Sequence, residues 1–361
     1  MKIAIFGTGG MGKAIIHLLK TVYFSEPISI VAFDREEECP RGLQCDEYHS
    51  IDVNQSYSHE TSPIYGKDFD LVFSALPYFY NPKVASLAVA ADVPYFDLGG
   101  SVPISRKINE RYKNATVFTD LGLAPGWVNI MAEEAYRELS RTGAVEEIRM
   151  RCGGLSAQQL PKHEDPFGYA KTWSADGLYN EYADDCEVLE GGKITTVPGM
   201  LGLEDVKTQG VLNWQGCHTP LEAFFTSGGA SHTLQLMKDR GVKHCSYKTL
   251  RYQGHRDLVH YFIHTKGFSP KGLSELFAPH REKDIVILDV WGYSDRFEYR
   301  VSHAIHADFE TDGYSAMQKA TAAGFIAAAL SSDVSQRRPL TYADVDIDLF
   351  NSTVNKMGIM K

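Results

Sequence analysis

Short apolar runs alternate with helix-compatible stretches through the first third of the chain. Runs with strand character occupy residues 3–6, 29–33, 71–76, 94–98 and 116–121, and the spacing predicts helices over 13–21 and 82–91. Strand and helix alternating in this way predict a parallel, doubly wound α/β sheet. Farther on, VEEIRMRCGGL, DIVILDVWGY and FEYRVSHAIHADF have strand composition, and the pair Gly191, Gly192 predicts a hairpin turn. Val128, Met131, Ala132, Ala135 and Leu139 fall on one face of a helix. Tyr314, Met317, Thr321, Phe325 and Ala328 form a second helical stripe among alanines. The pattern predicts a second domain of mixed sheet and helices.

The turn after the first apolar run reads GTGGMG, residues 7–12, and a helix-compatible segment follows. At a strand-to-helix turn, Gly7, Gly9 and Gly12 leave room for a pyrophosphate at the helix N-terminus, with Gly10 and Met11 beside it. The second run, SIVAFD, ends in Asp34 about 20 residues farther on, where an acid meets an adenosine ribose. A carboxylate there repels a 2′-phosphate, so NAD is the expected coenzyme over NADP, although the adjacent Arg35 is suited to a phosphate. The run over 71–76 leads into SALPYFYNP, which either puts Leu76 and Pro77 next to the nicotinamide or only uses Pro77, Asn81 and Pro82 to stop a strand and start a helix.

The formal net charge of -10 argues against a phosphate-tracking nucleic-acid surface, and a small-molecule partner is expected instead. Apolar runs such as 325–330 are far too short to cross a membrane. The N-terminus lacks the layout of a signal peptide, so the cytoplasm is the expected compartment. The six cysteines are irregularly spaced without a CxxC pair, which predicts free thiols.

Three segments in order, DLGLAPGWVNIMAEEAYREL from Asp120, MRCGGLS from Met150 and KTLRYQGH from Lys248, resemble the saccharopine dehydrogenase-like family. KTWSADGLYNEY, EGGKI, LEAFFTSGG and AGFIAAAL extend the likeness over most of the chain. The resemblance implies a Rossmann domain over 1–123, a substrate and dimerisation domain over 124–312, and a segment 313–361 returning to the first domain. It also implies a homodimer and hydride transfer between nicotinamide and a carbon bearing nitrogen, with an amino acid or related amine as substrate. Saccharopine reductases and carboxynorspermidine dehydrogenases read GLDPG, whereas Ala124 here gives GLAPG, as in lysine 6-dehydrogenase-like members. CGGLP is likewise CGGLS, with Ser156. Lysine 6-dehydrogenase-like oxidation is therefore the leading expectation. The rivals are a saccharopine-type reductive condensation and a dinucleotide-binding regulator without turnover.

Within that resemblance Arg251 is the candidate for a substrate carboxylate, because a guanidinium matches two oxygens at once. Trp173 and Tyr252 are candidate substrate contacts. Cys152, Lys171, Asp97 and Asp120 are the candidate catalytic groups; a strand-end cap is the alternative for either aspartate, packing for Cys152, an exposed helical charge for Lys171, a buried core tryptophan for Trp173, and a solvated or structural arginine for Arg251. No metal is expected: His260 and His264 in HYFIH lack the glutamate of an HExxH site. Ser227 lacks a GxSxG elbow, so serine hydrolysis is not expected.

Overall fold

Ile3, Ala4, Ile5 and Phe6 are all fully buried, a burial that a strand reaches only when both faces of its sheet are covered. They lie in β1, Lys2–Phe6, which pairs in parallel with β2, Ser29–Asp34, and β4, Leu71–Ser74. The sheet, in a computed structural model that describes residues 1–22, 24, 26–58, 60–156, 167–171, 175–206, 220–279, 283–308 and 313–359, has the order β3-β2-β1-β4-β5-β6. Here β3 is Glu47–Ser50, β5 is Tyr95–Asp97 and β6 is Val117–Phe118, and each pairing is parallel. Helices α1, Gly10–Thr21, α2, Asn81–Ala90, and α3, Val102–Arg111, belong to the same compact unit. The fold is the expected doubly wound α/β sheet. The order reverses between β1 and β4, so the glycine turn and the segment after Ser74 both open at the topological switch point, where open sheets bind ligands.

The pattern misses β3 and α3. The EYHS strand β3 has no fully buried residue, and α3 buries only Ser105 and Ile108. The apolar runs also overshoot. The chain leaves the sheet after Ser74 as Ala75 N donates to Phe6 O at 2.8 Å, and β6 ends before Asp120, whose φ is +66°.

Thr321–Ile359 clusters with Met1–Gly122, while Leu123–Ala320 forms the second unit. In the first unit Pro339 makes a parallel bridge to Val117, Phe325 packs edge-on to Phe73 with centroids 4.8 Å apart, and Tyr342 donates to Asp120 O at 2.9 Å. The helix Ala316–Leu330 differs from the expected stripe. Tyr314 precedes it and Met317 and Thr321 are only half-buried, whereas Ala322, Ala323, Phe325, Ile326, Ala327 and Ala328 are buried on every side. Alanine makes that possible, since a helix without bulky side chains lets neighbours approach all round.

The second unit is built on an eight-stranded sheet with the path β10-β9-β13-β7-β15-β16, where β12 joins β13 and β11 joins β12. The strands are β7, Val145–Ser156, β9, Cys186–Glu190, β10, Lys193–Val197, β11, Glu204–Val206, β12, Leu221–Phe225, β13, His244–Tyr252, β15, Lys283–Ser294, and β16, Glu298–Asp308. A separate two-stranded pair joins β8, Ala170–Lys171, to β14, Ala278–Pro279. Gly191 and Gly192, with φ of +55° and +77°, turn β9 into β10 as expected. Helix α4, Trp127–Ser140, buries the five expected apolar positions and also Asn129, whose Nδ2 donates to Thr233 Oγ1 at 2.8 Å. Helix α6, Thr233–Asp239, follows β12, and helices α5, Ala175–Ala183, α7, His255–His260, and α8, Pro270–Leu276, contribute to a core of Phe167, Tyr169, Tyr182, Phe224 and Phe277.

Candidate functional site

At the switch point the three fingerprint glycines do different work. Gly7 has φ +100°, and a Cβ there would sit 3.0 Å from the Ala75 backbone and 3.1 Å from Leu76 Cδ2. A Cβ on Gly12 would lie 1.9 Å from Gly7 O, so its absence lets α1 close onto the turn. Gly9 is different: it has an ordinary φ of -67°, and among the described residues a Cβ there would meet nothing within 4 Å. Two glycines shape the turn, and the third leaves an open position at the N-terminus of a 12-residue helix. Gly10 begins α1, with the half-buried Met11 next to it.

Asp34 closes this edge from β2. Its Oδ2 accepts Thr8 N at 2.6 Å and Thr8 Oγ1 at 2.8 Å, and its Oδ1 accepts Arg35 N at 2.7 Å. Partial burial, the largest effect, favours the neutral acid, but these donors together outweigh it and hold the carboxyl below its ordinary range. Asp34 is thus a fixed negative charge tied to the glycine turn. Arg35 is exposed and 3.5 Å from Glu36. Leu76 is half-buried, and Pro77 is exposed ahead of the 3-10 turn Tyr78–Tyr80.

Asp97 and Asp120 lie farther along the same carboxyl edge, both buried. Asp97 accepts Tyr95 OH at 2.9 Å, Gly99 N at 2.7 Å and Asp120 N at 3.2 Å. Asp120 accepts Ser105 Oγ at 2.6 Å. Burial first, and then the neighbouring Asp120 carboxylate, push Asp97 from an ordinary 3.8 up to about 7. Between these values the folded chain keeps a proton that the unfolded chain has released, so stability falls as pH rises from about 4 to 7. Asp97→Asn keeps the amide-accepting oxygen and is expected to flatten that slope, which amounts to about 4 kcal/mol. Urea unfolding from pH 4.5 to 8 measures it; an unchanged slope would show that Asp97 does not hold the proton.

In the second unit, Arg251 on β13 is buried. Its Nε donates to Tyr182 OH at 2.8 Å and its Nη1 to Leu250 O at 2.9 Å, while Nη2 lies 3.6 Å from Glu181 Oε1. The guanidinium stands 4.5 Å from the centroid of the Tyr169 ring. Burial disfavours its charge, but the Tyr182 and Glu181 oxygens outweigh that effect and raise its pKa. His255 fixes the hydrogen-bond direction. Its Nδ1 lies 3.0 Å from Phe167 O, a carbonyl that only accepts, so Nδ1 carries the proton and Nε2 accepts from Tyr182 OH at 3.0 Å. Burial, then the Arg251 charge, lower the imidazole pKa to about 3, which keeps it neutral. Tyr182 therefore donates to His255 and accepts from Arg251.

Cys152 on β7 pairs in register with Thr249 on β13. Burial outweighs the nearby Arg251 charge and pushes its thiol up to about 12, so at neutral pH it packs as a protonated thiol. The other described cysteines, Cys39, Cys45, Cys186 and Cys245, are also free; Cys217 lies outside the described residues.

The structure does not bring Tyr252 together with Arg251. Adjacent strand residues point to opposite faces, and Tyr252 OH donates to Ser156 O at 2.6 Å within a core that includes Leu155 and Ile285. Lys171 lies on β8, in register with Pro279, and Trp173 lies outside the described residues. His260 and His264 have ring centroids 4.6 Å apart, and among the described residues no group of three or more His, Cys, Asp or Glu could hold a metal. Sequence reading missed His255 and Tyr182 as partners of Arg251. KTLRYQGH ends in His255 after Gly254, whose φ of +94° turns the chain from β13 into α7; that glycine was the available signal.

The family model for the saccharopine dehydrogenase NADP binding domain matches residues 3–120, and that for the saccharopine dehydrogenase C-terminal domain matches residues 122–338. Mitochondrial alpha-aminoadipic semialdehyde synthase of Bos taurus is 30% identical over 142 residues, which are 38% of this chain and 15% of that protein. Saccharopine dehydrogenase (NADP(+), L-glutamate-forming) of Schizosaccharomyces pombe is 22% identical over 243 residues, 64% of this chain and 49% of that protein. The matches span less than half the length of these curated relatives. Among solved structures, the apo saccharopine dehydrogenase (L-Glu forming) of Saccharomyces cerevisiae superposes with a TM-score of 0.72 at 16% identity, covering 99% of this chain and 98% of that one. The homospermidine synthase of Legionella pneumophila, in complex with NAD, gives 0.69 at 13%, covering 100% and 90%. These two likenesses speak to fold alone. The two domain models, abutting at the boundary between the structural units and accounting for most of the sequence, place this chain in the saccharopine dehydrogenase family.

Proposed function

We propose that this chain is an NAD-dependent oxidoreductase acting on the C–N bond of an amino acid or related amine, working as a homodimer in the cytoplasm. The observation that carries the reading is the open position at Gly9, between two glycines that tolerate no side chain, at the switch point of a parallel sheet. These residues fit a dinucleotide: the Gly9–Gly12 turn would seat its pyrophosphate and Asp34 its adenosine ribose. When bound, the coenzyme supplies a hydride acceptor. This chain's residues have the remaining tasks. An amine gives up hydride only in its neutral form, so a group must take its proton and another must hold the carbon in place. Arg251 is the proposed holder of a substrate carboxylate. Asp97 and Asp120 are proposed proton carriers at the coenzyme edge, and the resemblance also nominates Lys171; Cys152 has the packing role that its protonated thiol supports.

The GLAPG spelling at Ala124 supports a lysine 6-dehydrogenase-like oxidation, giving an imine that hydrolyses or cyclises. The names of the curated relatives support a second reading, saccharopine-type reductive condensation or its reverse. Purified protein with NAD or NADP and lysine, ornithine, diamines or saccharopine separates them by reduced-nicotinamide absorbance. Coenzyme binding without turnover in either direction would instead favour a dinucleotide-binding regulator. The fixed charge of Asp34 predicts at least a tenfold preference for NAD, and Asp34→Ser is expected to shift that ratio toward NADP by about tenfold. A wild-type preference for NADP would overturn the assignment of Asp34.

A further inference from the structure

Arg251 and Glu181 each keep one polar edge without a hydrogen bond among the described residues, and the two edges are neighbours. Glu181 Oε1 accepts Thr249 Oγ1 at 2.6 Å and is the oxygen 3.6 Å from Arg251 Nη2. Thr249 has one hydroxyl proton and gives it to that carboxylate, so the Thr226 hydroxyl 2.7 Å away donates to Thr249 in turn. Oε1 is thus held in place while Oε2 has no partner among the described residues. Arg251 is likewise anchored through Nε and Nη1, by Tyr182 OH and Leu250 O, and Nη2 makes no hydrogen bond among them. The Glu181 side chain is 14% exposed. Its helix is tied to the loop after β12 by Ser227 N donating to Glu181 O at 2.9 Å.

We propose that Glu181 and Arg251 form a paired receptor for the free α-amino-acid head of the substrate, Glu181 taking the α-ammonium and Arg251 the α-carboxylate. This rests on the amino-acid reading above and specifies which end of the molecule the second unit grips. Charge balance carries the argument. The pair is neutral as it stands, and its neighbour His255 is uncharged. A lone carboxylate placed there would leave one net negative charge in a buried site, and a lone ammonium one net positive charge; either is costly at low dielectric. A zwitterionic head adds no net charge and gives each partner an opposite charge. The receptor therefore selects α-amino acids over simple acids and diamines. It suits lysine and also the lysine-derived half of saccharopine, so it does not depend on which is the substrate.

The test is calorimetric binding to the wild-type chain, with and without NAD, of L-lysine, 6-aminohexanoate, which lacks the α-ammonium, and 1,5-diaminopentane, which lacks the carboxylate. Saccharopine is compared with its analogue lacking the primary amine. The complete head is expected to bind at least tenfold more tightly than either truncated ligand, and Glu181→Gln is expected to abolish the difference between lysine and 6-aminohexanoate. Equal affinity for complete and deaminated ligands, or no binding of any of them, overturns the receptor. If Glu181→Gln does not fold, the wild-type comparison decides alone. Discrimination without reduced-nicotinamide formation sinks the proposed reaction and leaves the receptor standing; turnover without discrimination does the reverse.

Discussion

Replacing Arg251 by alanine is expected to raise the substrate KM by about 100-fold while leaving NAD affinity within about twofold. The first figure follows from removing the charged partner of a buried carboxylate, which typically costs 2–5 kcal/mol, where about 2.7 kcal/mol corresponds to 100-fold. The second follows from position: the guanidinium belongs to the second unit, and the glycine turn and Asp34 belong to the first. The variant is also expected to lose about 3 kcal/mol of stability, because Glu181 would be left beside a vacated cation and Tyr182 OH would lose a donor. Arg251→Lys keeps the charge but cannot serve Tyr182, Leu250 and a substrate together, so it should recover stability better than KM. Steady-state kinetics with coenzyme titration and thermal unfolding separate these effects. Equal losses for substrate and NAD, or neither, would remove Arg251 from the substrate site.

What the sequence discloses here depends on how local the cause is. The glycine turn is legible because strand, glycines, helix and the acid ending the next strand lie within 34 residues, and each has its own steric or electrostatic reason. The first sheet is legible because its central strands are buried on both faces and read as unbroken apolar runs. Its edge strand Glu47–Ser50 and the polar helix Val102–Arg111 bury too little to leave a period. In the second unit the long strands β7, β15 and β16 read correctly by composition and the glycine pair marks the turn from β9 to β10, but β11, β12 and β13 go unread, and side-chain company is not legible either. Arg251 meets Tyr182 across 69 positions and His255 meets Phe167 across 88, so no local spacing announces either. Tyr252 shows the converse: it stands next to Arg251 in the motif, yet strand alternation alone is enough to put the two on opposite faces.

Gly12→Ala and Gly9→Ala are both expected to weaken coenzyme binding, for opposite reasons, and the contrast tests the dinucleotide site itself. A methyl at position 12 would lie 1.9 Å from Gly7 O, a backbone atom held by the close approach of α1 to the turn. Relief requires α1 to move off the sheet, so the variant should lose about 3 kcal/mol of stability as well as NAD affinity. At position 9 the backbone angle is ordinary and a methyl meets nothing among the described residues within 4 Å, so stability should change by less than about 0.5 kcal/mol. That methyl would nevertheless occupy the space through which a pyrophosphate approaches the amides of α1, and NAD affinity should fall at least tenfold. Chemical denaturation with fluorescence titration of reduced coenzyme reads both quantities. A Gly9→Ala chain that folds like wild type and still binds NAD like wild type would mean that the open position is not the coenzyme's seat, because no atom of the described residues explains the glycine there.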